Sequence, residues 1–439
     1  MSSVSTPNNA YTPPAVAGRP SLSPQAKAWR FRVFASTWIC YAGYYFCRKP
    51  FSVAKSRIGH DLSMDAEQLA WIGAVYLIAY TIGQFASGAL GPRFGPRRML
   101  LGGMLVSVLS GFGFAASSSL SAFLILSAIN GFGQATGWSN TVGTMAAWTY
   151  RSERGTIMGI WSTCFQVGNV AAPALTAWVL QGWGFRAAFV AGSVVLALVA
   201  VLVFLFQANR PEDKGLPPIA DPALPPVGPS NTPVADVRWS RSTWTTVLLI
   251  GGAYFGMKFI RYALDSWAPF FLSRRFGLHD DQAGYVSTLF GLCGIVGVVF
   301  TGWLSDKIFS GRRAGVAFAM ILGVVAATVG IVTLGTGSVT AFAVSIGLIG
   351  FTLYGPDALL TGAGAMDIGG ESGAVRAAGI ISGLGSAGSV VQELLIGKLY
   401  QKSPDDIRPV LATLLGFAIF SAFCIGAMVI RNSRGVSDV

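Results

Sequence analysis

Charge is the scarcest ingredient of this 439-residue chain: Asp, Glu, Lys and Arg together make up 11%, whereas 52% of the residues are hydrophobic. Soluble globular domains carry about a quarter charged residues. Residues 99–150 and 314–356 contain none of the four charged types. Each run is long enough for two membrane spans of roughly 20 residues, divided by short breaks at Ser117–Ser121 and Gly335–Ser338. A water-soluble fold is excluded, and a polytopic membrane protein takes its place.

Histidine is nearly missing too. The two present, His60 and His279, fall in expected loops, and the five cysteines (Cys40, Cys47, Cys164, Cys293, Cys424) lie in apolar segments without paired spacing. Such an inventory builds no metal site, and the cysteines read as buried packing. No nucleophile stands with a base and no cofactor loop is present, so neither an enzyme nor a cofactor is expected. Gly131, Gly133 and Gly137 lie inside an apolar run with no strand before them, which favours close helix packing over a phosphate loop. The first 28 residues lack the basic and apolar regions of a signal peptide. A disordered tail over 1–30 is expected, with insertion relying on the first helix.

The net charge of +12 would point to nucleic acid in a soluble protein, but here the cations sit between apolar segments and report topology. No nucleic acid partner is expected; the partners are the lipid bilayer and a small anion, and the chain acts as a monomer. Periodicity and breaks predict twelve helices: 31–52, 68–90, 99–117, 121–147, 155–180 and 186–207, then 243–271, 283–304, 314–334, 338–363, 374–400 and 409–430. They form halves of six, 31–207 and 243–430, joined by a linker over 208–242; Arg210 to Arg241 carries eight prolines. Placing both tails and every second loop on one side collects 19 cations, against seven in the opposite loops. The tails, including 431–439, and the linker are therefore expected in the cytoplasm of a cell whose inner, plasma membrane holds the chain.

The halves repeat. Arg48 precedes Gly88–Arg98 (G-A-L-G-P-R-F-G-P-R-R) by 40 residues, and Arg261 precedes Gly302–Arg313 (G-W-L-S-D-K-I-F-S-G-R-R) by 41. Gln68 and Gln282 line up at the same offset. A duplicated six-helix unit follows, with Arg48 and Arg261 as equivalents. A mid-membrane arginine costs roughly 2.5 to 3.5 kcal/mol even on a mild insertion scale, so each needs a reason. Around Arg48, Tyr41, Tyr44 and Tyr45 share its helix face, while Lys49, beside Pro50, suits a supporting or interfacial charge. Around Arg261, Lys258 and Tyr254 come before and Asp265 follows at i+4 as a built-in counterion. A planar guanidinium matches two phosphate oxygens, and the pairing strengthens away from water.

The G-x-L-x-D-x-x-x-x-G-R-R pattern resembles the loop signature of the major facilitator superfamily. Its second copy is good, whereas the first has Pro92 at the Asp position, so only Asp306 can reach a neighbouring helix end. Further stretches are similar to the organophosphate:phosphate antiporter family: Y-A-G-Y-Y-F-C-R-K-P-F, R-Y-A-L-D-S-W-A-P, Gln134–Trp138, Glu153–Trp161, Lys214–Ile219 and Leu353–Pro356. The resemblance spans both halves. It implies an all-α membrane protein of the superfamily's fold, with twelve helices in two pseudo-symmetric halves. It also implies that Arg48 and Arg261 clamp a phosphate, with Tyr41, Tyr45, Gln134, Trp138 and Trp161 in or near the cavity.

Departures accompany the likeness. Where the glycerol-3-phosphate members have a Lys in the second helix and a His in the fifth, this chain has Gln84 and Phe165; a family acid on the eighth helix is replaced near Gly291. Asp357 and Glu393 add acids on helices ten and eleven. For Glu393, hydroxyl recognition, a structural ion pair and proton coupling stay open; for Asp357, substrate binding and a cap or gate contact. The expected activity is exchange of a small organophosphate for inorganic phosphate by alternating access. The rivals are a proton-coupled organic-anion symporter and a transporter-like sugar-phosphate sensor.

Overall fold

The computed structural model describes residues 22–219, 239–309, 313–402 and 406–435. Among these, every regular element is a helix: α1 (Pro24–Leu62), α2 (Ala66–Phe94), α3 (Pro96–Ala116), α4 (Leu120–Gln134), α5 (Thr136–Trp148), α6 (Arg154–Trp161), α7 (Thr163–Phe206), α8 (Arg241–Phe276), α9 (Asp280–Lys307), α10 (Arg313–Gly330), α11 (Val339–Ala358), α12 (Ala365–Lys402) and α13 (Arg408–Ser433). Short π-helical stretches, Ile331–Gly335 and Leu359–Gly364, extend α10 and α11. Most of the expected N-terminal tail and of the Pro-rich linker lies outside the described residues.

Nine stretches among the described residues are long and apolar enough to cross a bilayer. One of them, Arg151–Phe206, is two spans joined at Gly184, whose φ of +78° turns the chain where a side chain would be strained. Gly370 (φ +59°) makes the same corner between the tenth and eleventh spans. The fourth span is broken at Ala135 into α4 and α5, and the first, α1, carries Arg48 and Lys49. Together these are the twelve spans of the sequence reading.

One boundary moves substantially. Helix α1 begins at Pro24, inside the expected tail, because Ser23 caps it by accepting from the Ala26 amide and proline is well placed in a first turn. The extension is docked: Trp29 lies between Arg32 and Lys214, and Arg30 pairs with Glu153 at 2.6 Å. At the far end α1 continues past Pro50 to Leu62. There Arg57 donates to Asp61 and, with His60 helping, holds its carboxyl below the usual range.

The first half packs α1 along α7 and α2 along α4; the second packs α8 along α12 and α9 along α11. Across the interface α2 and α5 lie on α12, and α6 lies on α9. The closest approach is glycine on glycine. A Cβ on Gly88 would stand 3.0 Å from the Cα of Gly379, so only backbones fit there. Gly383, Gly385 and Gly388 continue the α12 stripe against Phe85, Tyr254 and the Phe255 carbonyl.

The two ends of the interface differ. Near the α1 N-terminus the halves are sealed. Asp306 accepts from the amides of Gly155 (3.2 Å) and Thr156 (2.6 Å) at the start of α6, where the helix dipole favours an anion. Arg313, fully buried, donates to Asp306, to Asp367 and across the interface to the Arg151 carbonyl; Arg154 reaches Asp367 at 2.8 Å from the other half. At the opposite end the halves part around a cavity of about 500 Å³ whose lining includes Lys55 and Glu67.

Removing one member of a buried ionic cluster leaves its partners uncompensated. Asp306→Asn is therefore expected to raise the population open at the sealed end by about tenfold or more. Distances between spin labels at Arg93 and Lys307 should lengthen; an unchanged distribution would show that the seal does not depend on this carboxylate.

Candidate functional site

The cavity narrows toward mid-membrane onto Tyr45, Arg48, Tyr80, Arg261 and Tyr262. The same five residues border a deeper recess of about 20 Å³, closed off by Tyr41, Gln84, Trp138, Phe165, Tyr254, Lys258, Asp357 and Ser382. Both halves supply the walls of each chamber.

Each arginine is held by its faces. The Arg48 guanidinium carbon lies 4.8 Å from the Tyr45 ring centre and 5.0 Å from that of Tyr80. In the other half, Arg261 lies 4.9 Å from the Phe165 ring and 5.0 Å from that of Tyr354. Aromatic faces attract such cations while leaving the N–H edge available. Arg48 Nε donates to Gln134 Oε1 at 3.2 Å, and Gln134 Nε2 donates in turn to the Tyr44 carbonyl and to Asn130, tying the arginine to α4. One Nη of Arg48 and the Nε of Arg261 are buried without a hydrogen-bond partner among the described residues.

The counterion of Arg261 is not the one expected. Asp265, one turn along α8, is exposed on the cavity wall, and Arg261 instead donates to Asp357 Oδ2 at 2.8 Å. Asp357 stands beside Pro356 in the last turn of α11, before the π-helical stretch that begins at Leu359, and it meets Arg261 from another helix, a contact beyond the reach of i+4 spacing. Lys258 Nζ donates to Ser386 Oγ at 2.8 Å and lies 5.1 Å from the Tyr254 ring. The recess thus gathers three cations, Arg48, Lys258 and Arg261, against one carboxylate, leaving two positive charges uncompensated.

The other expected residues fall in three places. Tyr41 and Trp138 line the recess, their rings 5.5 Å apart, and Trp138 donates to the Thr361 carbonyl across the interface. Lys49 and Glu393 join Asp265 on the wall of the large cavity; Glu393 makes no ion pair among the described residues. Gln134 and Trp161 stand one layer back: the first is occupied with Arg48, and the second donates to Thr37 behind Tyr41. Asp306 belongs to the sealed end. Not anticipated as site residues were Tyr76 and Tyr80, which with Gln84 repeat at intervals of four on α2. That spacing was a readable signal.

Residues 37–391 match the profile of the Major Facilitator Superfamily. A probable hexose phosphate transport protein of Chlamydia pneumoniae is 29% identical over 85% of this chain and 86% of its own. The bovine glucose-6-phosphate exchanger SLC37A2 is 30% identical, covering 86% and 90%. The chain belongs to the major facilitator superfamily, in its organophosphate:phosphate antiporter family. Its fold is also that of the human organic anion transporter MFSD10 (TETRAN), with a TM-score of 0.69, 16% identity and coverage of 90% and 99%. Membership in this transporter family makes the chain a multi-pass membrane protein and not an enzyme.

For this family member, the Asp357 to Arg261 pair is a competitor for any anion drawn to the arginines. In Asp357→Asn, Arg261 no longer has to exchange partners, and the affinity for inorganic phosphate measured on the purified carrier should rise about tenfold. A fall of similar size would instead make Asp357 the support that positions Arg261.

Proposed function

We propose that this carrier exchanges a small organophosphate, of the sugar-phosphate or glycerol-phosphate class, for inorganic phosphate by alternating access. The observation that carries the reading is the excess of two positive charges at mid-membrane, where Arg48 and Arg261 from opposite halves, with Lys258, face the single carboxylate of Asp357. A phosphate monoester near neutral pH carries close to two negative charges and three oxygens that match guanidinium edges. The relatives named above, a hexose phosphate transport protein and a glucose-6-phosphate exchanger, support the substrate class.

In this mechanism Arg48 and Arg261 attract the phosphate through the large cavity, which the charge asymmetry of the loops assigns to the extracytoplasmic side. Oxygens replace Asp357 on Arg261 and reach the free edge of Arg48, drawing the halves together over the ligand. Neutralising the two charges favours the closed intermediate, and the sealed end then opens. A carrier that crosses readily only with its charges neutralised exchanges one phosphate compound for another.

Proteoliposomes loaded with labelled phosphate test this directly. External phosphate esters should release label, and Arg48→Lys or Arg261→Lys, normally inserted, should slow release by about tenfold to a hundredfold because a point cation replaces a bidentate fork. Absence of any phosphate exchange by the native carrier would refute the reading. Uptake driven by a proton gradient without internal phosphate would identify the symporter, and binding without counterflow the sensor.

A further inference from the structure

Gln84 continues the Tyr76, Tyr80 face of α2 one turn deeper, away from the large cavity and into the recess. It is 1% exposed, yet neither its amide nitrogen nor its amide oxygen has a hydrogen-bond partner among the described residues. Ser382, 2% exposed on α12, borders the same recess from the other half, and its hydroxyl is equally unpartnered. Buried polar atoms in folded proteins are nearly all paired, so three such atoms around one recess mark a place made for a polar group.

The neighbours narrow its chemistry. Of the charged groups of the recess, Lys258 is held on Ser386 and Asp357 on Arg261, and the unpartnered N–H atoms of Arg48 and Arg261 are those that the proposed phosphate takes. What remains on Gln84 and Ser382 is neutral, one amide donor with one amide acceptor and a hydroxyl able to act either way. A hydroxyl group answers all three, accepting from Gln84 Nε2 while donating to Gln84 Oε1 or Ser382 Oγ. A carboxylate brings no proton to donate, and a methyl group answers none. About 20 Å³ admits a single group of water size.

We infer that Gln84 and Ser382 form a subsite for one hydroxyl of the organic part of the substrate, so that these two residues select esters bearing a hydroxyl over those without one. This rests on the phosphate lying at Arg48 and Arg261. Because Gln84 and Ser382 come from opposite halves, the hydroxyl also bridges the interface, and an ester lacking it draws the halves together less well.

The test is competition against labelled inorganic phosphate on the purified full-length carrier, using glycerol 3-phosphate and n-propyl phosphate, which has the same carbon chain without hydroxyls. The native protein should prefer glycerol 3-phosphate by about tenfold or more. Gln84→Leu should abolish that preference, lowering the affinity for glycerol 3-phosphate by about tenfold more than it lowers that for n-propyl phosphate or inorganic phosphate. Ser382→Ala, a milder change from the other half, should reduce the preference severalfold. An unchanged preference in both variants would overturn the subsite, as would equal weakening of phosphate and ester by Gln84→Leu, which would assign the recess to a phosphate oxygen. Failure of the native carrier to bind phosphate would instead refute the transport reading beneath it.

Discussion

Positive charge held at mid-membrane is the constraint on which the rest of this molecule depends. Two arginines and a lysine lie where an ion is costly, and the surrounding sequence is spent on making them tolerable without neutralising them. Aromatic rings cover the faces of both guanidinium groups, Gln134 ties Arg48 to α4, and a single carboxylate, Asp357, satisfies part of Arg261. Full neutralisation would leave nothing to attract an anion. Partial neutralisation leaves the recess with a net positive charge.

The sealed end follows a different logic. There Arg154 of the first half pairs with Asp367 of the second, Asp306 of the second half accepts from the N-terminus of α6 in the first, and Arg313 binds both carboxylates within its own half while donating across to the Arg151 carbonyl. Pairing across the interface closes it. Pairing within one half, as Arg261 does with Asp357, leaves the interface free. The motif that supplies Asp306 has Pro92 in its other copy, so this dipole contact exists on one side of the pseudo-symmetric pair only.

Much of this was legible beforehand, because membrane spans and a duplicated pattern are one-dimensional signals. Twelve spans in two halves needed only hydropathy and offsets, and the same offsets singled out Arg48 and Arg261. Contacts between distant helices were not legible. Asp265 is four residues from Arg261 and Asp357 is ninety-six away, yet the nearer acid faces the water-accessible cavity and the farther one makes the pair. Spacing along one helix reports proximity, but which acid is dry and which is wet depends on the packing of α11 against α8. Gln134 adds what the resemblance did not specify: it stands near the cavity with Oε1 accepting from Arg48 and Nε2 donating to the Tyr44 carbonyl and Asn130.

The contact of Gly88 with Gly379 has a mechanical consequence. Interlocked side chains must change rotamer or unlock before two helices can turn on one another, which makes their relative motion stepwise. Two bare backbones have nothing to unlock. At that point α2 and α12 meet without interdigitating side chains, so a rotation there requires no rotamer change, and the contact lies between the wet and the sealed ends of the interface.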